Sequence, residues 1–386
     1  MSYRTATGWY RRLKIPRALI IAACLLPVAI TALFYILRPQ RDVMDWAAAR
    51  ISAPVRGFIG MLSSLYPFSM MEALCAAAAL WLVYYIVKTI MAISRRRGKL
   101  RILSRRVLPV LVAALYVYGM FCWLWSIGYH ATGFSEKCGF EGGGVSVEEL
   151  ASVTRMFAAG ANELAPLMDR DEGGRYVGDR DAVFAASTGI YANTFAAFPA
   201  LEGKLYAPKP MIFSWLMSRT GYTGIYFALT GESNVNTRMP DYEMPVTVAH
   251  ELAHQRGVFA EDEASFVGIA ACIASGDPVF EYAGYCSGLA YLINALWGAD
   301  PDAAAEINDG FCDELNRDRA DSFAYWNSQR KVETGNDFFD KVLTAVTTTV
   351  SDAVDSAYDG FLKSQNQELG LRSYGACVDL LVEYYR

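Results

Sequence analysis

Three long apolar runs in the N-terminal third limit what this chain can fold into. Residues 18–37 and 107–128 carry no charged side chain, and residues 70–93 carry only Glu72 and Lys88, each near an end of the run. A helix of about 20 residues crosses a hydrocarbon core of roughly 30 Å. Their length and basic flanks favour membrane spans over buried helices of a soluble core. Residues 1–129 are therefore predicted to form a membrane anchor with three transmembrane helices.

The positive charges predict how these helices are oriented. Basic residues crowd before the first run and between the second and third, but are sparse between the first and second. Cytoplasmic loops of membrane proteins carry an excess of Lys and Arg. The N-terminus is thus predicted to be cytoplasmic, with residues 130–386 outside. The residues on the predicted cytoplasmic side are Arg4, Arg11, Arg12, Lys14, Arg17, Arg95, Arg96, Arg97, Lys99, Arg101, Arg105 and Arg106.

The charge balance changes at the same boundary. Residues 1–129 hold 17 of the 35 Lys and Arg but only three acids, so the remainder has 18 basic and 37 acidic residues. Such an acidic domain argues against nucleic acid as a partner. Five cysteines beyond residue 129 would allow two disulfides in an oxidising compartment, with pairing left open.

The exported part is predicted to be one mainly α domain with little β-structure. Ser146 and Glu149 have the spacing of a capping box, and helical periodicity follows to about residue 168. A second helix is expected over residues 179–198. Residues 223–229 are the best strand candidate, being β-branched and aromatic between glycines. From Pro245 onward the pattern is almost entirely helical.

Two of the chain's three histidines fall in one motif. His250, Glu251 and His254 form an HExxH sequence, which chance would place in this chain with a probability of about 10⁻³. Residues four apart share one face of a helix, so both imidazoles can converge on one metal ion. Glu251, beside that face, can accept the proton of a water that attacks a carbonyl. A zinc centre is therefore predicted, with two histidines on a surface helix as the alternative interpretation.

The flanking residues support a real helix at the motif. Pro245 suits a first helical position and Gly257 suits the position just past the end. A catalytic zinc usually has three protein ligands and one open position. With no third histidine nearby downstream, a carboxylate is required; Glu261, Asp262 and Glu263 follow the glycine turn, and only one of them need be a ligand. Their alternative role is to complement a helix dipole.

Weaker candidates complete the predicted site. The strand near residue 224 precedes the motif and is positioned to pair with an extended substrate. The hydroxyl of Tyr282 or Tyr285 could stabilise an oxyanion, although core packing is the commoner role of a tyrosine. His130 follows the third run in a Trp- and Tyr-rich belt, where an interfacial role is expected.

Two resemblances extend these predictions. Residues 261–265, EDEAS, resemble the second-helix pattern of glutamate zincins, which implies Glu261 as third ligand ahead of Glu263. Ser265 stands where those proteins carry Asn or Asp to support a histidine. Residues 223–236, 250–257, 261–266 and 358–386 resemble an uncharacterised family of bacterial membrane proteins grouped with zincin-like peptidases. That resemblance implies a zincin-like exported domain in a multi-pass protein of the bacterial cytoplasmic membrane.

The predicted function is hydrolysis of peptide bonds in a peptide or protein substrate outside the cytoplasmic membrane. Zn²⁺ would be held by His250, His254 and Glu261, with Glu251 as general base. A non-enzymatic sensor or scaffold that binds a peptide or cell-wall ligand is the alternative. Transport is disfavoured, because Glu72 and Lys88 near the ends of one span offer no polar pathway. The sequence leaves the substrate and the oligomeric state open.

Overall fold

The computed structural model describes residues 16–95, 99–140, 142, 144–329 and 374–386, with isolated positions between 352 and 360. Three of its helices are long and apolar enough to cross a membrane, as predicted. They are α1 (Arg17–Leu37), α4 (Met70–Arg95) and α5 (Lys99–Leu124). The third ends four residues earlier than expected, and a 3₁₀ turn over Ser126–Tyr129 follows. The predicted cytoplasmic charges at 4–14, 96 and 97 lie outside the described residues, as does much of the 358–386 segment.

The segment between the first two apolar helices is itself helical. It forms α2 (Arg41–Ala47), a π-helical turn (Ala48–Ser52) and α3 (Ala53–Ser63). Helix α3 contacts the C-terminal domain: Arg56 Nη1 donates to the carbonyl of His254 at 3.3 Å, and Ser63 Oγ donates to the carbonyl of Thr230 at 2.7 Å. These contacts tie the anchor to the region that carries the HExxH motif.

The β-structure is one small sheet in the order β1-β3-β2. Its strands are β1 (Lys209–Pro210), β2 (Gly224–Phe227) and β3 (Glu232–Val235). Strand β2 lies within the predicted strand over 223–229. It runs antiparallel to β3 with Tyr226 opposite Ser233, and β1 runs parallel to β3. Within the described residues, no strand pairs with the second edge of β2.

Helices build the rest of the C-terminal domain. The predicted capping box opens α7, with the Ser146 side chain accepting from Glu149 N and the Glu149 side chain accepting from Ser146 N. Helices α10, α11 and α12 pack against one another around a continuous apolar core. The helices of this part are α6 (Phe134–Lys137), α7 (Val147–Leu164), α8 (Arg180–Ala186), α9 (Ser214–Thr220), α10 (Met244–Gln255), α11 (Glu261–Ile273), α12 (Pro278–Ala299), α13 (Pro301–Asp309), α14 (Asp313–Gln329) and α15 (Tyr374–Tyr385).

The helix expected over residues 179–198 is a shorter element. Helix α8 ends at Ala186, and isolated 3₁₀ turns follow. Ser187 and Thr194 donate their hydroxyls to the carbonyls of Phe184 and Tyr191, three residues earlier. Such local bonds compete with regular helix, which accounts for the break. All eight cysteines lie in the described part and are free thiols, so the two permitted disulfides do not form.

Candidate metal centre

The HExxH motif lies on α10, where the sequence predicted a helix. Pro245 occupies its first turn, and Gly257 beyond its end has φ of 89°, a left-handed conformation that favours glycine. The chain then reverses, and α11 begins at Glu261 beside α10. A Cβ on Gly268 of α11 would lie 2.9 Å from His250 N. This glycine lets the two backbones approach closely, which brings the first turn of α11 to the histidines.

Three side chains converge between these helices. Glu261 Oε2 lies 3.2 Å from His250 Nε2 and 3.5 Å from His254 Nε2, and all three candidate ligand atoms lie within 4.8 Å of one another. Tetrahedral ligands about 2.1 Å from a zinc ion are about 3.4 Å apart. The two nitrogen–oxygen distances therefore fit one tetrahedral metal ion, and the group can hold one.

Each histidine has a partner on its other ring nitrogen. His254 Nδ1 lies 2.7 Å from the carbonyl of Val258, which can only accept, so this nitrogen carries the hydrogen. His250 Nδ1 lies 3.4 Å from Ser265 Oγ, to which Tyr291 donates at 3.3 Å. These partners leave both Nε2 atoms directed at Glu261, and contacts of this kind orient metal ligands. Ser265 therefore contacts the first of the two motif histidines.

Glu251 is buried beside the group, with only 4% of its surface exposed. Its Oε2 has no hydrogen-bond partner among the described residues. A Cβ on Gly224 would lie 2.5 Å from Glu251 Oε1, so β2 passes directly over this carboxylate. Burial raises the pKa of Glu251 to about 7, although His250 and His254 oppose the shift.

Opposite charges hold His250, His254 and Glu261 together. Burial acts to lower the pKa of His254, but the adjacent Glu261 carboxylate outweighs it and raises the value to about 9. Burial acts to raise the pKa of Glu261, and the neighbouring His254 and His250 lower it well below its ordinary value. Because the Nδ1 hydrogen of His254 is directed at Val258, a metal ion bound at Nε2 would have to displace the second proton of this imidazole.

The end of α5 forms one wall of the site. The ring of Trp125 lies 5.3 Å from that of His254 and packs edge-on against it, with Phe259 at 5.2 Å and Tyr226 at 5.8 Å from the same indole. The Arg56 guanidinium of α3 lies over the Phe259 ring at 4.7 Å. The sequence indicated this Trp-rich stretch only as the end of an apolar helix and did not predict that Trp125 contacts His254.

Comparison with known protein families matches residues 49–382 to a single description, Protein of unknown function (DUF3810). The chain belongs to this family. The match supports the predicted uncharacterised family but gives no link to zincin-like peptidases. No curated protein and no solved structure matches the chain. The DUF3810 region includes the HExxH helix, Glu261 and the two later apolar helices.

The structure separates Glu263 from Glu261. The Glu263 carboxylate accepts hydrogen bonds from Phe134 N at 2.9 Å, from Ser135 N at 2.8 Å and from Ser135 Oγ at 2.6 Å. It thereby caps the start of α6, just after the third span. Of the two carboxylates predicted as a third ligand in this DUF3810 chain, Glu261 lies beside the histidines.

The structure also places the other predicted site residues in different surroundings. Tyr282 is fully buried and donates to Asp318 Oδ2 at 2.5 Å, beside the Arg170–Asp318 ion pair. Tyr285 packs against Phe157, with ring centroids 5.6 Å apart. Both tyrosines therefore make the contacts expected of core-packing residues, and neither makes those expected of an oxyanion donor. The third histidine, His130, lies against the ring of Phe34 in α1 at 5.6 Å and is not part of the group that could hold a metal ion.

Proposed function

We propose that this DUF3810 protein is a membrane-anchored, zinc-dependent peptidase that acts on the outer side of the cytoplasmic membrane. The observation that carries the proposal is the convergence of His250, His254 and Glu261 next to a buried carboxylate, Glu251. Two imidazoles and one carboxylate are the ligand set of many catalytic zinc centres, and they leave a fourth position open. The predicted orientation of the three spans places this group outside.

Each of the surrounding residues has a chemical task in this proposal. A bound zinc ion would polarise the scissile carbonyl and acidify water. Glu251 accepts the proton of the attacking water and passes it to the leaving amine, a role that suits a carboxylate with a pKa of about 7. The hydrogen on His254 Nδ1, which is directed at Val258, and the contact between His250 Nδ1 and Ser265 Oγ keep the imidazoles oriented.

The β2 edge supports a peptide as substrate. Asn236 N donates to the carbonyl of Thr223 at 2.8 Å, so the alternation of an antiparallel pair directs the N–H and C=O groups of Gly224 and Tyr226 away from β3. Gly224 of this strand lies against the Glu251 carboxylate. An extended peptide that pairs with this edge would pass the catalytic carboxylate.

The test is Glu251→Gln in the full chain, reconstituted in lipid and assayed for zinc content and for cleavage of a quenched peptide library. We expect near-stoichiometric zinc in both proteins and turnover only in the wild type. Glu202→Gln, at an exposed position, is the matched control and should behave as the wild type. Full turnover by Glu251→Gln would refute the mechanism. Peptide binding without turnover in the zinc-loaded wild type would establish the sensor or scaffold instead.

A further inference from the structure

An exposed apolar face lies at the start of α4. It consists of Leu65, Phe68, Ile212, Phe213, Trp215 and Leu216, all of them exposed. The two stretches that supply it, residues 64–71 and 210–218, contain no charged side chain. A cluster of large apolar side chains of this kind marks an interaction site more often than ordinary surface.

Hydrogen bonds fix this apolar face to the first turn of α4. The Glu72 carboxylate accepts from Ile212 N at 2.9 Å and from Phe213 N at 2.8 Å. Glu232 of β3 accepts from Met70 N and Met71 N at 3.1 and 3.0 Å. The start of the helix, both halves of the apolar face and the sheet therefore form one connected unit.

The position of α4 indicates what the apolar face contacts. Its apolar stretch over Met70–Ser94 is a candidate span, so the first turn marks one boundary of the hydrocarbon core. The apolar face lies at that boundary and continues into the exposed side chains of α4, beginning with Leu74. Tryptophan and other aromatic side chains are enriched at such boundaries. We propose that the apolar face inserts into the leaflet on the side of the C-terminal domain and holds that domain against the bilayer.

Quenching of tryptophan by brominated phosphatidylcholine tests this insertion in liposomes that contain the full chain. The quenching of the Trp215 emission is obtained as the difference in quenching between the wild type and Trp215→Phe. Trp297, 44% exposed on α12 against 46% for Trp215, is the matched control, measured through Trp297→Phe. We expect bromines near the headgroups to quench the Trp215 emission strongly and the Trp297 emission little. Equally weak quenching of Trp215 and Trp297 would overturn the proposal. The apolar face would then lie in water or against a second copy of the chain.

A separate contact bears on the substrate. Trp125, which touches His254, directly follows Leu124, the last residue of the candidate span Leu103–Leu124. Tyr226 of β2 packs on the same indole. The His250–His254–Glu261 group and the β2 edge are therefore separated from the end of an apolar helix by the side chain of a single residue, Trp125. Resting on the proposed peptidase function, we infer that the substrate is a polypeptide segment directly next to its own membrane anchor.

Two model substrates test this inference. In one, a short randomised segment directly follows a single transmembrane helix; in the other, a folded domain separates the two. Each is reconstituted with the wild type or with Glu251→Gln, and new N-termini are sequenced. We expect cleavage, in the wild type only, of the adjacent segment at least tenfold faster. Equal cleavage of both would overturn the substrate class and leave the peptidase intact. Cleavage of neither by the zinc-loaded protein would overturn both.

Discussion

Two of the three acids in the first turn of α11, Glu261 and Glu263, allow a matched test of the candidate metal centre. Glu261→Gln and Glu263→Gln make the same isosteric change two residues apart. Glu261 Oε2 lies within 3.5 Å of both histidine Nε2 atoms, whereas the Glu263 carboxylate accepts three hydrogen bonds at the start of α6. Glu261→Gln should therefore lose zinc, and Glu263→Gln should lose stability.

The magnitudes follow from the contacts. Structural zinc sites bind with about 10–16 kcal/mol over four ligands, or about 2.5–4 kcal/mol each, so Glu261→Gln should weaken zinc binding about 70- to 1000-fold. Glu263→Gln leaves at least one of its three donors facing an amide NH₂. Hydrogen bonds to charged groups contribute about 1.5–3 kcal/mol, and the free energy of unfolding should fall by about that amount.

The assay is zinc competition against a chromophoric chelator, with thermal unfolding of the same detergent-solubilised samples. Glu263→Gln should change zinc affinity less than tenfold, because Glu263 contacts neither histidine in the described structure. Wild-type zinc affinity in Glu261→Gln would refute the three-ligand arrangement. An equal loss of zinc in both variants, at unchanged stability, would show that the assignment of the two acids is wrong.

Three further predictions concern pH, β2 and the buried tyrosine. Because the metal-free protein keeps His254 protonated up to a pKa of about 9 and a ligand must be neutral, zinc affinity measured by competition should rise about tenfold per pH unit from pH 7 to 9. A flat profile would contradict this. Gly224→Ala places a Cβ 2.5 Å from Glu251 Oε1, so peptide turnover should fall about 10- to 100-fold with zinc content unchanged; unaltered turnover would contradict the β2 contact. Tyr282→Phe removes one of the bonds to Asp318 and should lower the free energy of unfolding by about 1–2 kcal/mol without affecting turnover. A loss of turnover in the stable, zinc-loaded variant would show instead that Tyr282 acts in the reaction.

Features encoded in short stretches of sequence were predicted correctly. The three apolar helices depend on length and the absence of charge, and the capping box depends on two residues three apart. The HExxH helix was expected between Pro245 and Gly257 and spans Met244–Gln255. Helix geometry alone places both histidines on one face. The zincin-like fold stays a prediction, since no solved structure matches.

The tertiary structure decided which carboxylate meets the histidines. Glu261 and Glu263 are separated by about 200° around α11, so only one of them can face α10. The close approach at Gly268 turns Glu261 toward the histidines and leaves Glu263 to cap α6. Nor could the sequence reveal that Trp125 packs on His254, because that contact joins residues more than a hundred positions apart. The sequence by itself determined the two candidate ligands that one helix presents, because helix spacing is local. The third candidate ligand and the contact of Trp125 with His254 depend on how α5, α10 and α11 pack.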